Sequence, residues 1–246
     1  ILLTPRRYGN ISDPLNYDAT ERIGAGYGMV KYTWDKWELI GGVRVEHTDQ
    51  GYSLKFPTEN ADPEGRQRYT DVLPSFHAKY GVHKNANIRF SYGRSINRPS
   101  FFEIVPYSII NEDYKEKGNP DLKHTVADNI DLRYEFFPKT SEQFMVGLFY
   151  KRLNNPIEYG LLNEGQDVYY KPMNFGDATN LGVEIDVMKY FNWFGIKANY
   201  TYTHSSITTD KRVMEGSEVK SVSQSRPLFG QAAHVANLSL LFKSAN

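Results

Sequence analysis

Cysteine is absent from this 246-residue chain, so it has neither a disulfide framework nor a thiolate metal site, and thiols say nothing about its redox compartment. Neither sign of charge is in excess, since 29 Lys and Arg face 29 Asp and Glu. That balance removes the positive footprint that binding a phosphate backbone requires, which argues against nucleic acid as a partner. Long apolar runs are missing as well. With a mean hydropathy of -0.57, the chain has no stretch of about 20 apolar residues that could cross a bilayer as a helix. Histidine is scarce and scattered: His47, His77, His83, His124, His204 and His234 form no i, i+4 pair, and no Ser, His and carboxylate cluster in sequence. The expectation is no enzyme, no metal and no cofactor. The chain opens on Ile1-Leu2-Leu3 without a charged start, an apolar core and a cleavage site, so no export leader is legible and a mature or trimmed chain is expected.

What the chain does have is rhythm. Ile23 to Trp34 runs into Trp37 to His47 across Asp35-Lys36, and a polar stretch from Asp49 to Arg68 follows. Tyr69 to Val82 turns at His83-Lys84-Asn85 into Ala86 to Asn97, and the next link, Arg98 to Lys123, is long. Thr125 to Phe137 turns at Pro138-Lys139-Thr140-Ser141 into Gln143 to Arg152, before a long link through Gly160, Gly165 and Gly176. Asn180 to Phe191 turns at Asn192-Trp193-Phe194 into Gly195 to Ser205; Ser206 to Gln231 is then read as a wandering link before His234 to Lys243. In an up-and-down antiparallel sheet every second link lies on one rim, so one rim has tight turns and the other long loops. Outer-membrane barrels show that asymmetry.

Within the segments polarity alternates with period two. Leu181, Val183, Ile185 and Val187 oppose Gly182, Glu184 and Asp186, and Ile130, Leu132, Tyr134 and Phe136 oppose Asp131, Arg133 and Glu135. Ile23 to Trp34 changes parity, with Ile23, Ala25 and Tyr27 on one side and Val30, Tyr32 and Trp34 on the other, so its faces stay unassigned. A soluble β-sandwich also alternates, but its strands run about 5–6 residues, against about 9–11 for a tilted strand crossing hydrocarbon. Rings beside the tight turns (Trp34, Trp37, Tyr80, Phe136, Phe137, Tyr190, Phe191, Trp193, Phe194, Phe242) fit an interfacial girdle. The expected fold is all-β: a transmembrane antiparallel up-and-down barrel in the cell outer membrane, long loops extracellular, with residues 1–246 forming a partial barrel domain. About nine strands are read, an odd number, so further strands are expected outside the 246 residues.

From Leu73 onward four motifs occur in order. They are Leu73-Pro74-Ser75, Arg94-Ser95-Ile96-Asn97-Arg98-Pro99-Ser100, Gly118-Asn119-Pro120-Asp121-Leu122-Lys123, and Asn174-Phe175-Gly176 followed by Leu181-Gly182-Val183-Glu184. Together, over most of the chain from about Tyr17 to Phe242, they resemble the C-terminal barrel half of TonB-dependent outer-membrane receptors of the Bacteroidetes type. His124 departs from that family, which usually has Pro after the Leu-Lys pair. The resemblance implies a barrel of 22 strands, a plug domain of the same polypeptide inside it, and coupling to the TonB energy complex, with a surface lipoprotein as a further partner. Neither the plug nor the terminal barrel strands is visible in these residues.

Apart from the family, the motifs have structural readings. Pro74 suits an irregularity because it donates no ladder hydrogen bond, Gly118-Asn119 reads as a turn with a positive-φ position, and Gly182 marks a close backbone approach. The charges Arg44, Glu46, His77, Lys79, Arg89, Asp131, Arg133, Glu135, Glu184, Asp186 and Lys197 are placed on the lumen side, bonded to each other or to a plug. Ligand contact is expected from the long loops: Phe101, Phe102, Tyr107, Glu112, Asp113 and Tyr114 in one, Tyr159, Tyr169 and Tyr170 in the other. The acidic pairs Asp62/Glu64 and Glu112/Asp113 could hold calcium, although solvated charge is the preferred reading. The function expected is binding of a scarce nutrient (iron chelate, glycan or peptide) and its import. The alternative is a passive porin-like channel or surface adhesin on the same scaffold.

Overall fold

A computed structural model describes residues 15–57, 62–110, 112, 114–164, 167–215 and 218–242. Among these described residues fourteen strands and one short helix form, in order: β1 (Tyr17–Trp34), β2 (Trp37–Leu54), β3 (Glu64–His83), β4 (Ala86–Asn97), α1 (Phe101–Ile104), β5 (Ser108–Ile110), β6 (Lys115–Lys117), β7 (Thr125–Lys139), β8 (Glu142–Asn154), β9 (Ile157–Glu164), β10 (Asp167–Asn174), β11 (Ala178–Phe191), β12 (Phe194–Glu215), β13 (Glu218–Arg226) and β14 (His234–Phe242). Ten of the strands make one antiparallel sheet, in the order β1-β2-β3-β4-β7-β8-β11-β12 and then β13, with β14 also paired to β12. Because β13 and β14 lie along different halves of β12, the sheet has nine strand positions. It does not close on itself among the described residues. No described helix is long and apolar enough to cross a membrane.

The tight rim is narrower than the sequence suggests. Each short link is two residues (Asp35-Lys36, Lys84-Asn85, Thr140-Ser141, Asn192-Trp193), because the strands run on into the expected turns. Asp35 and Asn192 adopt φ of 49° and 58°, which short polar side chains tolerate better than branched ones.

The long rim holds the larger correction. Ser206 to Gln231 does not wander: β12 continues to Glu215 and returns as β13, in register from Ile207↔Arg226 to Glu215↔Glu218. Likewise β2 and β3 stay paired up to Ser53↔Glu64. Beyond the hydrocarbon these ribbons mix polar residues with scattered apolar ones such as Tyr52, Leu54 and Ile207, so the regular alternation that marks a half-apolar strand fades although the ladder continues.

Register fixes the faces. Pairs such as Val43↔Pro74, Ala78↔Phe90, Phe90↔Leu132, Leu132↔Leu148, Leu148↔Val183 and Val183↔Tyr202 carry one apolar surface across seven neighbouring strands. On β1 this side takes Val30, Tyr32 and Trp34, while Ile23, Ala25 and Tyr27 take the other. These residues are exposed, as in Leu148 at 53% and Leu238 at 71%, so the surface faces lipid and does not line a core. Trp37 meets Tyr80 at 4.7 Å and Trp193 stacks on Phe242 at 5.9 Å, so rings collect at the tight-turn border.

Two sequence readings of individual residues resolve at this level. The β3–β4 ladder starts at Ser75↔Gly93, so Pro74 stands just where pairing with β4 ends and a missing donor costs nothing. Gly182 is required by contact, since a Cβ there would lie 2.1 Å from the Tyr202 carbonyl oxygen and 2.5 Å from the Phe149 ring.

Candidate functional site

Both long links on the outer rim fold, and they fold onto each other. The short strands make a second sheet in the order β5-β6-β10-β9, in which β6 and β10 run parallel, pairing Lys115↔Tyr169 and Glu116↔Tyr170. Beneath it Ile104, Val105, Tyr107, Ile109 and Leu122 pack with Tyr52 and Leu54 from the top of β2. That cluster makes the loops a platform continuous with the wall. Such burial is what a long loop needs if it is to hold a fixed shape.

The motifs supply the rivets. Arg98 turns back over β2 to pair with Glu46, which Arg44 also engages at 2.6 Å, and its Nε donates to Thr48 at 3.1 Å. Next to it Gln50, 2% exposed, donates to the Pro99 carbonyl at 2.9 Å. On β3, Gln67 donates to the Pro120 and Leu122 carbonyls at 2.7 and 3.0 Å. His124 stacks on Tyr69 at 4.1 Å and bonds Asp71 at 2.8 Å. The second loop is tied to the first by Asn119, which donates to the Pro172 carbonyl at 2.9 Å, and by Asn174, whose carboxamide bonds both backbone groups of Lys123. Gln50, Gln67 and Asp71 share the side of the sheet opposite to the apolar surface, so the platform is anchored on the polar side of the wall.

Gly118 departs from its expected role. Neither it nor Asn119 has positive φ, and Gly230 (φ 72°) is the positive-φ glycine among the described residues. A Cβ at Gly118 would lie 1.8 Å from the Val105 carbonyl oxygen, so close approach is what demands the glycine. At His124 the imidazole does what a proline could not, because it supplies both a ring to stack and a bond to Asp71.

The expected ligand residues separate on this frame. Tyr107 is 1% exposed and bonds Glu116 at 3.1 Å, so its ring holds the platform together and offers no open face. Phe101 packs against the same cluster. Phe102 leans on Tyr107 at 4.8 Å yet is 41% exposed. Tyr170 stacks on Tyr159 at 4.9 Å and meets Tyr114 edge-on at 5.5 Å. Lys117 sits 4.3 Å over the ring of Tyr169. Glu112 is exposed, while Asp113 lies outside the described residues. Burial pushes the Tyr159 phenol up to about 12 and the Tyr107 phenol higher still, with the Glu116 carboxylate adding to the effect on Tyr107.

The eleven charges assigned to the lumen share one face. Arg44, Glu46, His77, Arg89, Asp131, Arg133, Glu135, Glu184, Asp186 and Lys197 all lie opposite to the apolar surface by register, as does Lys79. Several pair across strands: Arg89 with Glu135 at 2.7 Å, Arg133 with Glu184 at 3.4 Å, and Gln143 with Asp186 at 2.5 Å. A cavity of about 430 Å³ opens among Glu38, His77, Lys79, Arg89, Asp131 and Arg133. Among the described residues no group of His, Asp and Glu has a metal-holding arrangement.

Glu158 was not read from the sequence as a site residue. It accepts from Arg226 at 2.6 Å and from the Phe229 N–H at 3.3 Å, so β9 closes the break between β13 and β14. Its signal is weak, a lone acid between Ile157 and Tyr159, and its partner is 68 residues away.

A model of the outer membrane protein beta-barrel family matches residues 5–243. No curated protein sequence matches the chain. Among solved structures, the siderophore receptor PiuA from Acinetobacter baumannii aligns over 93% of this chain and 32% of its own, with a TM-score of 0.68 and 16% identity. The hemophore receptor HasR of Serratia marcescens, solved with its hemophore HasA and heme, aligns over 78% of this chain and 35% of its own (TM-score 0.60, 12% identity). The FrpB iron transporter from Neisseria meningitidis (F5-1 variant) aligns over 77% and 27% (TM-score 0.58, 12% identity). The chain thus spans well under half the length of each of these neighbours. At such identities the likeness is one of fold.

Proposed function

The chain belongs to the outer membrane protein beta-barrel family, and from that premise we propose that it is the wall and outer platform of an energy-coupled receptor. This receptor binds a scarce nutrient at the cell surface and passes it to the periplasm without covalent change. The observation that carries the reading is the platform: two long loops share one sheet and one apolar cluster and are bonded to the polar side of the wall. A passive channel gains nothing from such a rigid outer surface, whereas a receptor needs a preformed one.

The ligand surface is the aromatic part of that platform, the exposed Phe102 and Tyr114 with the half-buried Tyr159, Tyr169 and Tyr170, together with the exposed Glu112 and with Phe101 and Tyr107 as supports in the apolar cluster; Asp113, outside the described residues, belongs to the same proposal by sequence. Neighbours named for siderophores, iron and heme make an iron chelate the first ligand class to test, ahead of a glycan or a peptide. The charged face borders the lumen, where its cross-strand pairs bond each other and a plug domain of the same polypeptide. Import follows when energy delivered through TonB shifts that plug between holding and releasing states. A surface lipoprotein is a further partner of this scheme, and nucleic acid has no place in it.

Uptake of labelled iron chelates by cells with and without the full-length protein tests the reading. Uptake that needs both the protein and an energised inner membrane supports it. Uptake that persists after de-energisation, together with ion conductance of the purified protein in planar bilayers, would replace it with a passive channel.

A further inference from the structure

We propose that the place where the first long loop re-enters the wall is a proton-operated joint, with His124 as the group that takes the proton and Asp71 as its counter-charge. His124 Nε2 meets Asp71 Oδ1 at 2.8 Å, and the imidazole lies on the Tyr69 ring at 4.1 Å with 13° between the planes. Both side chains of the pair are largely enclosed, at 19% and 12% exposure. Asp71 Oδ2 is buried with no hydrogen-bond partner among the described residues. Since β3 lies inside the sheet between β2 and β4, the pair does not depend on what stands beyond β1 or β14.

The surrounding charges leave Asp71 to His124. Glu46 stands opposite Asp71 in the ladder and takes both nearby arginines, Arg44 and Arg98. Glu21 of β1 acts on Tyr69 with the same sign as Asp71, and Lys123, next in the chain, is exposed. With a neutral imidazole, Asp71 has one bond and no cation in contact. A buried carboxylate is costly unless charge and hydrogen bonds offset it.

A proton on His124 turns the bond to Asp71 into an ion pair and adds a cation–π attraction to the stack on Tyr69. Burial opposes a lone imidazolium, but it opposes the lone carboxylate as well, and the pair together is neutral. The closed joint therefore holds the proton more firmly than an opened one in which His124 is solvated. By linkage the joint is tight in mild acid and loosens as pH rises, and histidine is the side chain whose charge changes between about pH 5 and 8. Proline, usual at this position in the family that the motifs resemble, carries no such group, so the device is particular to this chain. What the proton controls is the order of the loop that bears Phe101, Phe102 and Tyr107, whatever ligand the platform takes.

The test uses the full-length protein in detergent and needs no ligand. Protease cleavage of the first long loop is followed at about pH 6 and about pH 8, each rate divided by that of an unfolded substrate under the same conditions. The parent is expected to be cut several-fold faster at the higher pH. His124→Gln keeps a donor without a titrating group and is expected to be cut fast at both. His124→Arg carries a permanent charge that can stack on Tyr69 and bond both Asp71 oxygens, so it is expected to be cut slowly at both, a direction that mere disruption of the joint would not produce. A parent rate that does not change with pH overturns the proposal, and so does either variant keeping the parent's pH dependence. If His124→Gln does not fold, His124→Arg decides: slow cutting at both pH values supports the joint, and fast cutting at the higher one overturns it. Neither uptake nor binding is measured, so failure here leaves the receptor reading standing.

Discussion

Asn174 holds Lys123 by both of its backbone groups: the side-chain oxygen accepts the Lys123 N–H at 2.7 Å, and the side-chain nitrogen donates to the Lys123 carbonyl at 2.9 Å. The same nitrogen also donates to the Asn155 carbonyl at 2.9 Å. One carboxamide thus joins the end of β10 to the entry to β7 and the exit of β8, two of the four places where the loops meet the wall. An asparagine suits this task because it offers a donor and an acceptor from one planar group.

Replacing Asn174 by Ala leaves both backbone groups of Lys123 without that partner, while the Asn155 carbonyl keeps the Thr125 hydroxyl at 2.9 Å, and the expected cost is about 1 kcal/mol of platform stability. The strands in lipid do not depend on that clamp. Limited proteolysis of the full-length protein in detergent should cut the β9–β10 region faster in the variant, while heat-modifiability on gels stays unchanged. Equal cutting rates would show that the platform is held by its apolar cluster alone.

Arg98 makes the second prediction. Its partner Glu46 is largely buried, at 9% side-chain exposure, so Arg98→Ala strands a carboxylate beside one remaining cation, Arg44. Breaking a buried pair costs about 3–5 kcal/mol, and Arg44 at 2.6 Å recovers part of it. The variant should insert and fold but lose affinity for its ligand by about tenfold or more, because each 1.4 kcal/mol is a factor of ten. Arg98→Lys should rescue charge but not the bond to Thr48 and recover only part of the affinity. Titration calorimetry of the three forms distinguishes these outcomes, and unchanged affinity in Arg98→Ala would detach the platform's anchoring from binding.

How much of this was legible follows from what each residue answers to. Leu132, Leu148 and Val183 answer to lipid, a uniform solvent on one side, so their period of two states the face directly. The eleven charges read as lumenal fell on the opposite face for the same reason. Above the band Gln50, Gln67 and Asp71 answer to individual carbonyls and a histidine about 50 residues away, and no local pattern records a partner at that distance. The β12–β13 ribbon was missed because its mostly polar sequence, with a few scattered apolar residues such as Ile207, Val213 and Val222, lacks a sustained period of two and looks like loop. Tyr107 was read as a loop aromatic in ligand contact, yet its ring is buried in the platform, because composition cannot say whether a ring closes a loop or opens onto solvent.

Gly182 tests the wall itself. A methyl group at this position meets the Tyr202 carbonyl oxygen at 2.1 Å and the Phe149 ring at 2.5 Å. The ring can rotate, but the backbone can yield only by parting β11 from β12. Gly182→Ala should therefore destabilise the folded barrel by about 1–3 kcal/mol, seen as a lower urea midpoint in lipid bilayers, whereas Gly93→Ala, with open space at its Cβ, should leave the midpoint within experimental error. Pairing Gly182→Ala with Phe149→Ala should recover the ring's share of the loss and no more. A midpoint for Gly182→Ala equal to that of the parent would contradict the close approach.

The platform should also show its own dependence on alkali. Burial raises the Tyr159 phenol from the ordinary 10.0 to about 12, and raises Tyr107 as well. A phenol held neutral in the folded loop keeps a proton that the unfolded loop releases above pH 10.0, so the contribution to stability is complete below that pH and is lost as pH climbs through about 12. Protease sensitivity of the loops should rise within that window, together with tyrosinate absorbance, while the strands in lipid stay protected. Tyr159→Phe removes the ionisation and keeps the stacking on Tyr170, so the variant should shift the onset to higher pH. An onset at the same pH in both proteins would mean that some other group opens the platform.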